Sequence, residues 1–391
     1  MINIAFIMNG AKPPRGGEFL TLYLIMHLRK DIFYPIVFYA EDSSLVKEIK
    51  KAGIESIHIP LSNNLTNIYP RQIKLYSPVF LFTFLRGLIK SGCIFKLNKL
   101  LQRKNVQLIY CADNLSKFIG GITGKMANIK VVAPCHDDFK EDSLGRIMRL
   151  WYLLFIDKVL AVSEKVRFFF TVKEEISHKV ITVYNGIDPG IFNPDTIDDI
   201  REEIGWKKDS IVIGSIGTLE KNKGQKYLFE AIAWLKSKGI TNMICIVCGS
   251  GPEKLNLERL VEVKGLTKEV LFLGYRNDIP KILRTLDILV VTSLEIEACS
   301  MTVLEAQAMK VPVIATNISG NPELVSDNIT GLLVPPRDVD ALCNAIKYLI
   351  KNPEVRLKMG ENARTRVLDH FTIEKNVRKT EEVFLEMLRG I

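Results

Sequence analysis

The stretch Ile211-Val-Ile-Gly-Ser-Ile-Gly-Thr-Leu-Glu-Lys-Asn-Lys-Gly224 shows the unit from which the chain is built. Its first six residues are almost wholly apolar, which is typical of a strand buried on both faces of a parallel sheet. Gly217 and Gly224 then bracket a polar turn, and the residues after Gly224 have the apolar spacing of a helix. A strand, a glycine turn and a helix in this order indicate an α/β fold.

The same alternation of strand and helix occurs in two series along the chain, one on each side of a turn-rich segment, Asn185-Gly-Ile-Asp-Pro-Gly190. Turns of this kind are typical of a domain boundary. We therefore predict two Rossmann-like doubly wound domains, over residues 1–190 and 191–370. A short helix over 197–205 should lead into the second domain, and a last helix over 371–391 should pack back across the junction.

Sheets of this kind bind ligands at the carboxyl ends of their strands. We therefore expect the two domains to face each other across a cleft, with the functional site in that cleft.

The composition is that of a globular protein, with 391 residues of which 47% are hydrophobic and 25% charged. The chain has one C-x-x-C pair, Cys245 and Cys248, inside the apolar run Met243–Cys248. Core thiols are a better interpretation of that pair than a redox or zinc site, and they favour a reduced, cytoplasmic protein. The start of the chain lacks the pattern of a signal peptide, and no apolar run reaches the ~20 residues of a membrane span.

The positive charge lies in the first half of the chain. Residues 1–190 carry 26 Lys and Arg against 16 Asp and Glu, a net charge of +10, whereas residues 191–391 carry 27 against 28. The segment Ser56–Ala112 contains eight basic residues and no acidic one, interleaved with aromatic residues. This pattern predicts an anionic partner, and we place a membrane-docking face over residues 65–104.

Two carboxylates, Glu297 and Glu305, stand in an E-x7-E spacing that spans the predicted start of a helix. Glu297 falls in the loop before that helix, and Glu305 falls about one turn inside it. The backbone amides at the helix start suit a diphosphate, while the carboxylates suit sugar and ribose hydroxyls. Lys223, in the loop quoted first, adds a positive charge. Each feature alone also fits an ordinary solvated loop, so only the combination indicates a nucleotide sugar.

The order and spacing of these motifs resemble those of the family 4 glycosyltransferases. Four segments of the second half carry the resemblance: Gly217-Thr-Leu-Glu-Lys-Asn-Lys-Gly224, Glu297-Ala-Cys-Ser-Met-Thr-Val-Leu-Glu-Ala-Gln-Ala-Met-Lys-Val-Pro-Val-Ile-Ala-Thr316, Ser319-Gly-Asn-Pro-Glu323 and Gly331-Leu-Leu-Val-Pro-Pro336. Three weaker ones lie in the first half: Gly16-Gly17, Val159-Leu-Ala-Val-Ser-Glu164 and Val183-Tyr-Asn-Gly-Ile-Asp188. The resemblance thus extends over nearly the whole chain.

This resemblance implies a GT-B fold and a retaining transfer from a UDP- or GDP-linked sugar, without a metal or other cofactor. It also implies roles for single residues. The residues expected to act in catalysis are His136, Lys223 and Glu297. The residues expected to bind the donor are Gly16, Gly17, Gly217, Thr218, Lys223, Tyr275, Arg276, Ser300, Met301, Thr302 and Glu305.

The resemblance implies a separate role for most of these residues. Lys223 should neutralise the diphosphate, Glu305 should hold the ribose, and Glu297 should hold hydroxyls of the transferred sugar. Gly16 and Gly17 should form a loop over the phosphates, and Tyr275 with Arg276 should grip the base. His136 should lie near the donor sugar and the acceptor.

The chain departs from the family pattern at three motifs. Thr218 stands where the family has arginine, which removes one positive charge from the diphosphate site; Lys221 or Arg15 are candidate substitutes. In the motif from Glu297 to Thr316, Glu297-Ala-Cys-Ser replaces the commoner E-G-F-G, and Met309-Lys310 replaces a Gly-Lys pair. The first loop reads Gly-Gly-Glu rather than Gly-Gly-x-Glu.

The expected reaction is sugar transfer to a hydroxyl of a glycan or lipid-linked acceptor, in the synthesis of a surface polysaccharide, lipopolysaccharide or glycolipid at the inner face of the plasma membrane. The leading alternative is a catalytically weak homologue that only binds nucleotide or glycan. A sugar-nucleotide epimerase of similar fold is a weaker alternative. Nucleic-acid binding is disfavoured because the sequence contains no known binding module and its second half has no positive excess.

Overall fold

The computed structural model of the protein describes residues 1–9, 16–59, 92–136, 143–171, 174–205 and 210–389. The chain divides into two compact units. The first comprises Met1–Val183 and Asn376–Ile391, and the second comprises Tyr184–Lys375. Of the predicted functional segments, Arg15 and most of the docking face over 65–104 lie outside the described residues.

The first unit is built on a seven-stranded sheet in the order β3-β2-β1-β4-β5-β6-β7, with every pair of neighbours parallel. Its strands are β1 (Ile2–Met8), β2 (Phe33–Tyr39), β3 (Glu55–His58), β4 (Leu108–Cys111), β5 (Lys130–Cys135), β6 (Lys158–Ala161) and β7 (Val180–Thr182). Its helices are α1 (Gly16–His27), α2 (Ser44–Lys51), α3 (Cys93–Arg103), α4 (Asn114–Ala127), α5 (Ser143–Phe155) and α6 (Glu164–Thr171).

The second unit repeats the plan with a six-stranded parallel sheet in the order β10-β9-β8-β11-β12-β13. Its strands are β8 (Ile211–Ile216), β9 (Met243–Cys248), β10 (Val270–Gly274), β11 (Ile288–Val291), β12 (Val313–Thr316) and β13 (Gly331–Val334). Its helices are α7 (Gln225–Ser237), α8 (Lys254–Val263), α9 (Ile279–Thr285), α10 (Met301–Ala308), α11 (Asn321–Leu324), α12 (Val339–Lys351) and α13 (Pro353–His370); α14 (Ile373–Leu388) follows.

The central strands are buried because helices cover both faces of each sheet. All six residues of β9 are buried, as its unbroken apolar sequence predicts. Cys245 and Cys248 therefore lie in the core, and burial raises the pKa of the Cys248 thiol to about 11. The prediction that this C-x-x-C pair consists of core thiols is confirmed.

Helix α14 packs on the first unit, to which residues 376–391 belong. Glu381 accepts hydrogen bonds from the backbone N–H and the guanidinium of Arg29, at 2.8 and 2.6 Å. Phe384 is fully buried between the rings of Phe33 and Tyr110, with centroids 6.0 and 6.1 Å away. The apolar side of this helix therefore completes the core beside β1.

Two predicted elements differ in the structure. The helix expected over 197–205 is wrong, since these residues form turns. Arg201 binds the carbonyl oxygens of Ser210 and Thr285 and the carboxylate of Asp287, and these tertiary bonds hold the segment against the sheet. Helix α4 is longer than the short helix that the sequence predicts over residues 118–126, because Asp113 and Ser116 form a capping box that starts it at Asn114.

Candidate functional site

The loops after β8 and β9 are joined backbone to backbone at the carboxyl edge of the second sheet. Gly217 N–H donates to the carbonyl oxygen of Cys248 at 2.9 Å, and Leu219 N–H donates to that of Ser250 at 3.0 Å. A Cβ atom on Gly249 would stand 1.8 Å from the Gly217 carbonyl oxygen, so no other residue fits there. The glycines thus bring two loops into contact and leave backbone open at the edge.

Lys223 and Glu297 meet at this edge although 74 residues separate them. The Lys223 ammonium lies 2.7 Å from a carboxylate oxygen of Glu297, and the two side chains are 28% and 11% exposed. The same carboxylate oxygen accepts the Ser293 hydroxyl at 2.5 Å. The Thr292 hydroxyl donates to the Lys223 carbonyl oxygen at 2.9 Å, which ties the end of β11 to the first loop. The pair is therefore held in a fixed, partly reachable position.

The loop that carries Glu297 is held from two further sides. Gly320 N–H donates to the Glu297 carbonyl oxygen at 3.0 Å, and a Cβ on Gly320 would approach the Ala298 carbonyl oxygen to 2.1 Å. The buried amide of Asn185 donates to the Cys299 carbonyl oxygen at 3.3 Å. The glycine of the Ser319-Gly-Asn-Pro-Glu323 motif thus serves close packing against the Glu297 loop.

Helix α10 begins at the end of this loop with open backbone amides. Ser300 is its N-cap residue, and its side chain makes no capping bond. The first helical hydrogen bond runs from Leu304 N–H to the Ser300 carbonyl oxygen, and within the described chain the amides of Met301 and Thr302 meet no acceptor. Such a helix start favours an anion.

Glu305 lies one turn inside α10, as predicted, and its side chain is half-buried. Its carboxylate has no hydrogen-bonding or ionic partner in the described part of the chain, and burial raises its pKa to about 7. A desolvated carboxyl group without a partner is able to take hydrogen bonds from ligand hydroxyls.

Tyr275 and Arg276 follow β10 at the same edge. The Tyr275 side chain is 63% exposed. The Arg276 guanidinium binds both oxygens of Asp278, at 2.6 and 2.8 Å, and Glu203 at 2.9 Å. This bidentate pair holds the pKa of Asp278 below its ordinary value. The guanidinium is therefore engaged within the unit, and the loop offers a ligand mainly the Tyr275 ring and its backbone.

Thr218 is exposed, and its carbonyl oxygen accepts the side-chain amide of Gln225 at 2.9 Å. Lys221, a candidate substitute for the missing arginine, is also exposed and belongs to the same short 3-10 turn as Lys223.

In the first unit the structure brings together two of the predicted residues, Gly17 and His136. His136 follows the last residue of β5, and a Cβ on Gly17 would stand 3.1 Å from its Nε2 atom. Gly16 and Gly17 are the first residues of α1, and the loop before them lies outside the described residues. The imidazole of His136 thus packs on backbone that only glycine leaves open.

Ser293 and Asn185 are the site residues that the sequence did not single out. Ser293 is buried and follows the apolar strand β11, and polar residues directly after a buried strand are a signal that would have found it. Asn185 stood in a quoted motif, but its contact with residue 299 needed the fold. No group of three or more His, Cys, Asp or Glu side chains in the described ranges is placed to hold a metal ion.

Two family descriptions match the chain. "Glycosyltransferase Family 4" matches residues 14–190, and "Glycosyl transferases group 1" matches residues 196–366, so together they cover most of the sequence. The chain belongs to the family 4 glycosyltransferases. The family that the motifs predicted is therefore confirmed.

Curated relatives of this family 4 enzyme are transferases with different acceptors. A UDP-Gal:alpha-D-GlcNAc-diphosphoundecaprenol alpha-1,3-galactosyltransferase from Escherichia coli is 27% identical over 75% of this chain and 79% of its own length. An N-acetyl-alpha-D-glucosaminyl L-malate synthase from Bacillus anthracis is 29% identical over 53% of this chain and 54% of its own length. For several such relatives the chain matches only about half of their length.

Solved structures confirm the GT-B fold of this glycosyltransferase. HepE from Anabaena, in complex with UDP-glucose, superimposes with a TM-score of 0.82 at 20% identity, over 99% of this chain and all of HepE. Sucrose-phosphate synthase from Thermosynechococcus elongatus gives a TM-score of 0.78 at 20% identity, over the full length of both chains. The predicted architecture of two doubly wound α/β units is thus correct.

Proposed function

We propose that this glycosyltransferase transfers a sugar from a UDP-sugar, with retention of configuration, to a hydroxyl of a lipid-linked glycan at the cytoplasmic face of a membrane. The observation that carries the proposal is the Lys223–Glu297 pair, whose Glu297 lies in the loop that leads into α10. Among the described residues the first amides of α10 and the carboxyl of Glu305 meet no partner. These groups offer one cation and several N–H donors for a diphosphate, and acceptors for hydroxyls.

UDP is preferred to GDP because the Escherichia coli relative is named for UDP-galactose and HepE was solved with UDP-glucose. A lipid-linked acceptor is supported by the diphosphoundecaprenol in the name of that relative. The described part of the basic segment supports a membrane surface, since α3 exposes Phe95, Lys96 and Lys99. No helix in the described ranges is both long and apolar enough to span a bilayer.

The diphosphate is proposed to bind at the start of α10, with Lys223 as its counter-charge. In the structure Lys223 is paired with Glu297, so the phosphate oxygens would share its three N–H donors with that carboxylate. Glu297, still held by Ser293, would then accept hydroxyls of the sugar. Glu305 would accept the ribose hydroxyls. The Tyr275 loop would contact the uracil, and His136 the sugar and the acceptor.

The proposed chemical step uses these groups as follows. The acceptor oxygen bonds to C1 of the sugar on the face that the diphosphate leaves, and the bond between C1 and the phosphate oxygen breaks. The acceptor proton passes to the departing phosphate, so no protein nucleophile takes part. Lys223 and the α10 amides stabilise the charge that develops on UDP, which is the task a metal ion performs in other enzymes.

Donor binding is tested first, by thermal shift with UDP, GDP and ADP in the presence of EDTA. We expect UDP alone to stabilise the protein, by about 2.7 kcal/mol at 100 times its Kd, and Glu305→Ala to reduce that shift by about half or more. Transfer of labelled sugar to a membrane lipid extract then tests the reaction. Absence of a shift with any nucleotide would refute the donor site.

One observation favours a second function, binding without turnover: Thr218 stands where the family has a cationic residue and is exposed at the loop. Thr218→Arg separates the two functions. An enzyme should gain activity, up to roughly tenfold, because a further positive charge reaches the leaving diphosphate. A protein that only binds UDP should show no turnover in either form.

A further inference from the structure

Helix α5 exposes an apolar face. Among residues 145–155 the exposed side chains are Arg146, Ile147, Leu150 and Leu154, and the three apolar ones are 40%, 54% and 51% exposed. The opposite face of the helix, which includes Met148 and Tyr152, is buried. A helix that covers a sheet normally turns polar residues to solvent. The exposed face of α5 instead carries three apolar side chains and one arginine.

The exposed face continues sideways onto α4. Trp151 stacks on Phe155 of its own helix at 4.1 Å and lies 4.4 Å from Phe118 of α4. Gly121 packs against Phe155, so the two helices run side by side and Met126, 46% exposed, follows in the last turn of α4. We call Met126, Ile147, Leu150, Trp151 and Leu154 the α5 patch.

Lysines gather at the carboxyl end of the α5 patch. Lys179 donates to the carbonyl oxygens of Leu153 and Ile156, at 2.9 and 3.2 Å. Burial lowers its pKa and the exposed Lys125 and Lys130 lower it further, whereas Asp157, which follows Ile156, raises it. The Asp157 carboxylate accepts the backbone N–H of Val131, next to Lys130, so this end carries three lysines and one acid. Helices α4 and α5 contain no acidic residue. The acidic run in residues 137–142 precedes the other end of α5 and lies outside the described residues.

We propose that the α5 patch docks on an anionic lipid bilayer, with its leucines and Trp151 in the interfacial layer and the exposed Lys125 and Lys130 on the headgroups. Leucine and tryptophan beside lysine are the composition of helices that lie in a membrane interface. Each lysine near an anionic leaflet strengthens binding several-fold. A second copy of the chain is the alternative occupant of this face, and the oligomeric state in solution tests it. The proposal rests on the membrane-surface part of the proposed function and names the residues that make the contact.

Co-sedimentation of the full-length chain with vesicles tests this proposal. We expect binding to phosphatidylcholine–phosphatidylglycerol vesicles that is at least tenfold stronger than to phosphatidylcholine alone. The double variant Leu150→Glu/Leu154→Glu should bind the anionic vesicles at least tenfold more weakly, because two half-exposed leucines no longer enter the interface. The control is Leu357→Glu, at a 68% exposed leucine of α13, which should stay within about twofold of the wild type.

Three results would overturn the proposal: unchanged vesicle binding by the double variant, equal binding to neutral and anionic vesicles, or a dimer in solution that the double variant dissolves. The last result would assign the face to a second copy. The UDP-induced thermal shift of each variant is measured in parallel. A retained shift shows that the second unit of the variant is folded. If the wild type binds vesicles but shows no UDP shift, the donor site is refuted and the proposed docking surface is not.

Discussion

The carboxyl edge of each sheet holds a desolvated acid, and the two acids are used differently. In the first unit Asp113 accepts the backbone N–H groups of Asn9 and Ser116, at 2.6 and 2.9 Å. In the second unit Glu305 accepts no hydrogen bond from any described residue. Burial raises the pKa of both carboxyl groups. Both acids are thus desolvated near the carboxyl edge of a parallel sheet. Within the described residues, only Glu305 of the two has both carboxylate oxygens left for a ligand.

Glu297 lies between these extremes, because its partners are side chains. Lys223 and Ser293 hold one of its oxygens, and both can shift toward a ligand without breaking backbone structure. The comparison indicates how to separate a structural acid from a functional one. An acid whose oxygens are taken by backbone amides supports the fold, whereas one bound by side chains or left open is available for chemistry.

The largest effect is expected from Lys223→Ala. The variant leaves Glu297 partly buried without its cation and removes the only side-chain charge proposed for the diphosphate. We expect kcat/KM for sugar transfer to fall about 10²–10³-fold. Lys221→Ala, in the same 3-10 turn but exposed, is the matched variant; a loss within about threefold would exclude Lys221 as the substitute for the missing arginine. Equal losses in the two variants would show that Lys221 supplies the missing charge and that the Lys223–Glu297 pair has no special role.

Glu305 and Asp113 provide the direct test of the comparison. Ribose hydroxyls donate to ionised Glu305, so UDP binding favours the deprotonated carboxyl, and UDP affinity should rise as the pH rises through about 7. Glu305→Gln should weaken UDP binding about tenfold at pH 8 and flatten that pH dependence. Calorimetric titration of UDP between pH 6 and pH 8.5 measures both effects.

The matched change in the first unit is Asp113→Asn, which should leave UDP affinity unchanged and lower the free energy of unfolding by about 1–2 kcal/mol, because one backbone N–H loses its acceptor.

The pH dependence of the free energy of unfolding provides a separate test of Glu305. Since the pKa of Glu305 is raised in the folded protein, its protonated form stabilises the fold at low pH, and that contribution is lost as the pH rises through about 7. Glu305→Gln should remove this loss.

A smaller effect is expected from Ser293→Ala, which tests whether Glu297 needs positioning. The buried hydroxyl donates to Glu297 at 2.5 Å and its own carbonyl oxygen accepts the Thr316 hydroxyl at 2.6 Å. Loss of the hydroxyl frees the carboxylate to rotate, so kcat should fall about tenfold while the Kd for UDP stays within twofold. A parallel loss of UDP affinity would instead mean that Ser293 only stabilises the loop.

Ser293 also shows where sequence reasoning stops. The apolar runs predicted the strands well, because strands of a parallel sheet are buried on both faces and have unbroken apolar sequences. The apolar run over 243–248 predicts a strand, the spacing over 143–155 predicts a helix, and β9 and α5 have those bounds. The contact of Lys223 with Glu297 was not predictable from spacing, since it depends on which loops lie side by side, and the strand order β8-β11-β12 decides that.

Local patterns failed where tertiary contacts outweigh them. Residues 197–205 have helical spacing, but a helix there would withdraw Arg201 from Asp287. The contact of the His136 ring with Gly17 is likewise not visible in any local pattern. In both cases the deciding partner lies far away in the sequence, and no short window contains it.

The smallest predicted effect concerns the end of α10 opposite to its open amides. Lys310 belongs to the Met309-Lys310 pair that stands in place of the family's Gly-Lys. It adopts φ 60°, a left-handed conformation that residues other than glycine adopt at a cost. Lys310→Gly should therefore raise the free energy of unfolding of the second unit by about 1 kcal/mol and its Tm by about 2–4 °C. Lys238→Gly, at the end of α7 where φ is −93°, should lower stability instead, because glycine there only adds freedom to the unfolded chain. Scanning calorimetry of the two variants decides the matter, and two changes of the same sign would contradict the conformational explanation. Neither change should alter UDP affinity, because the diphosphate is proposed to bind at the other end of α10.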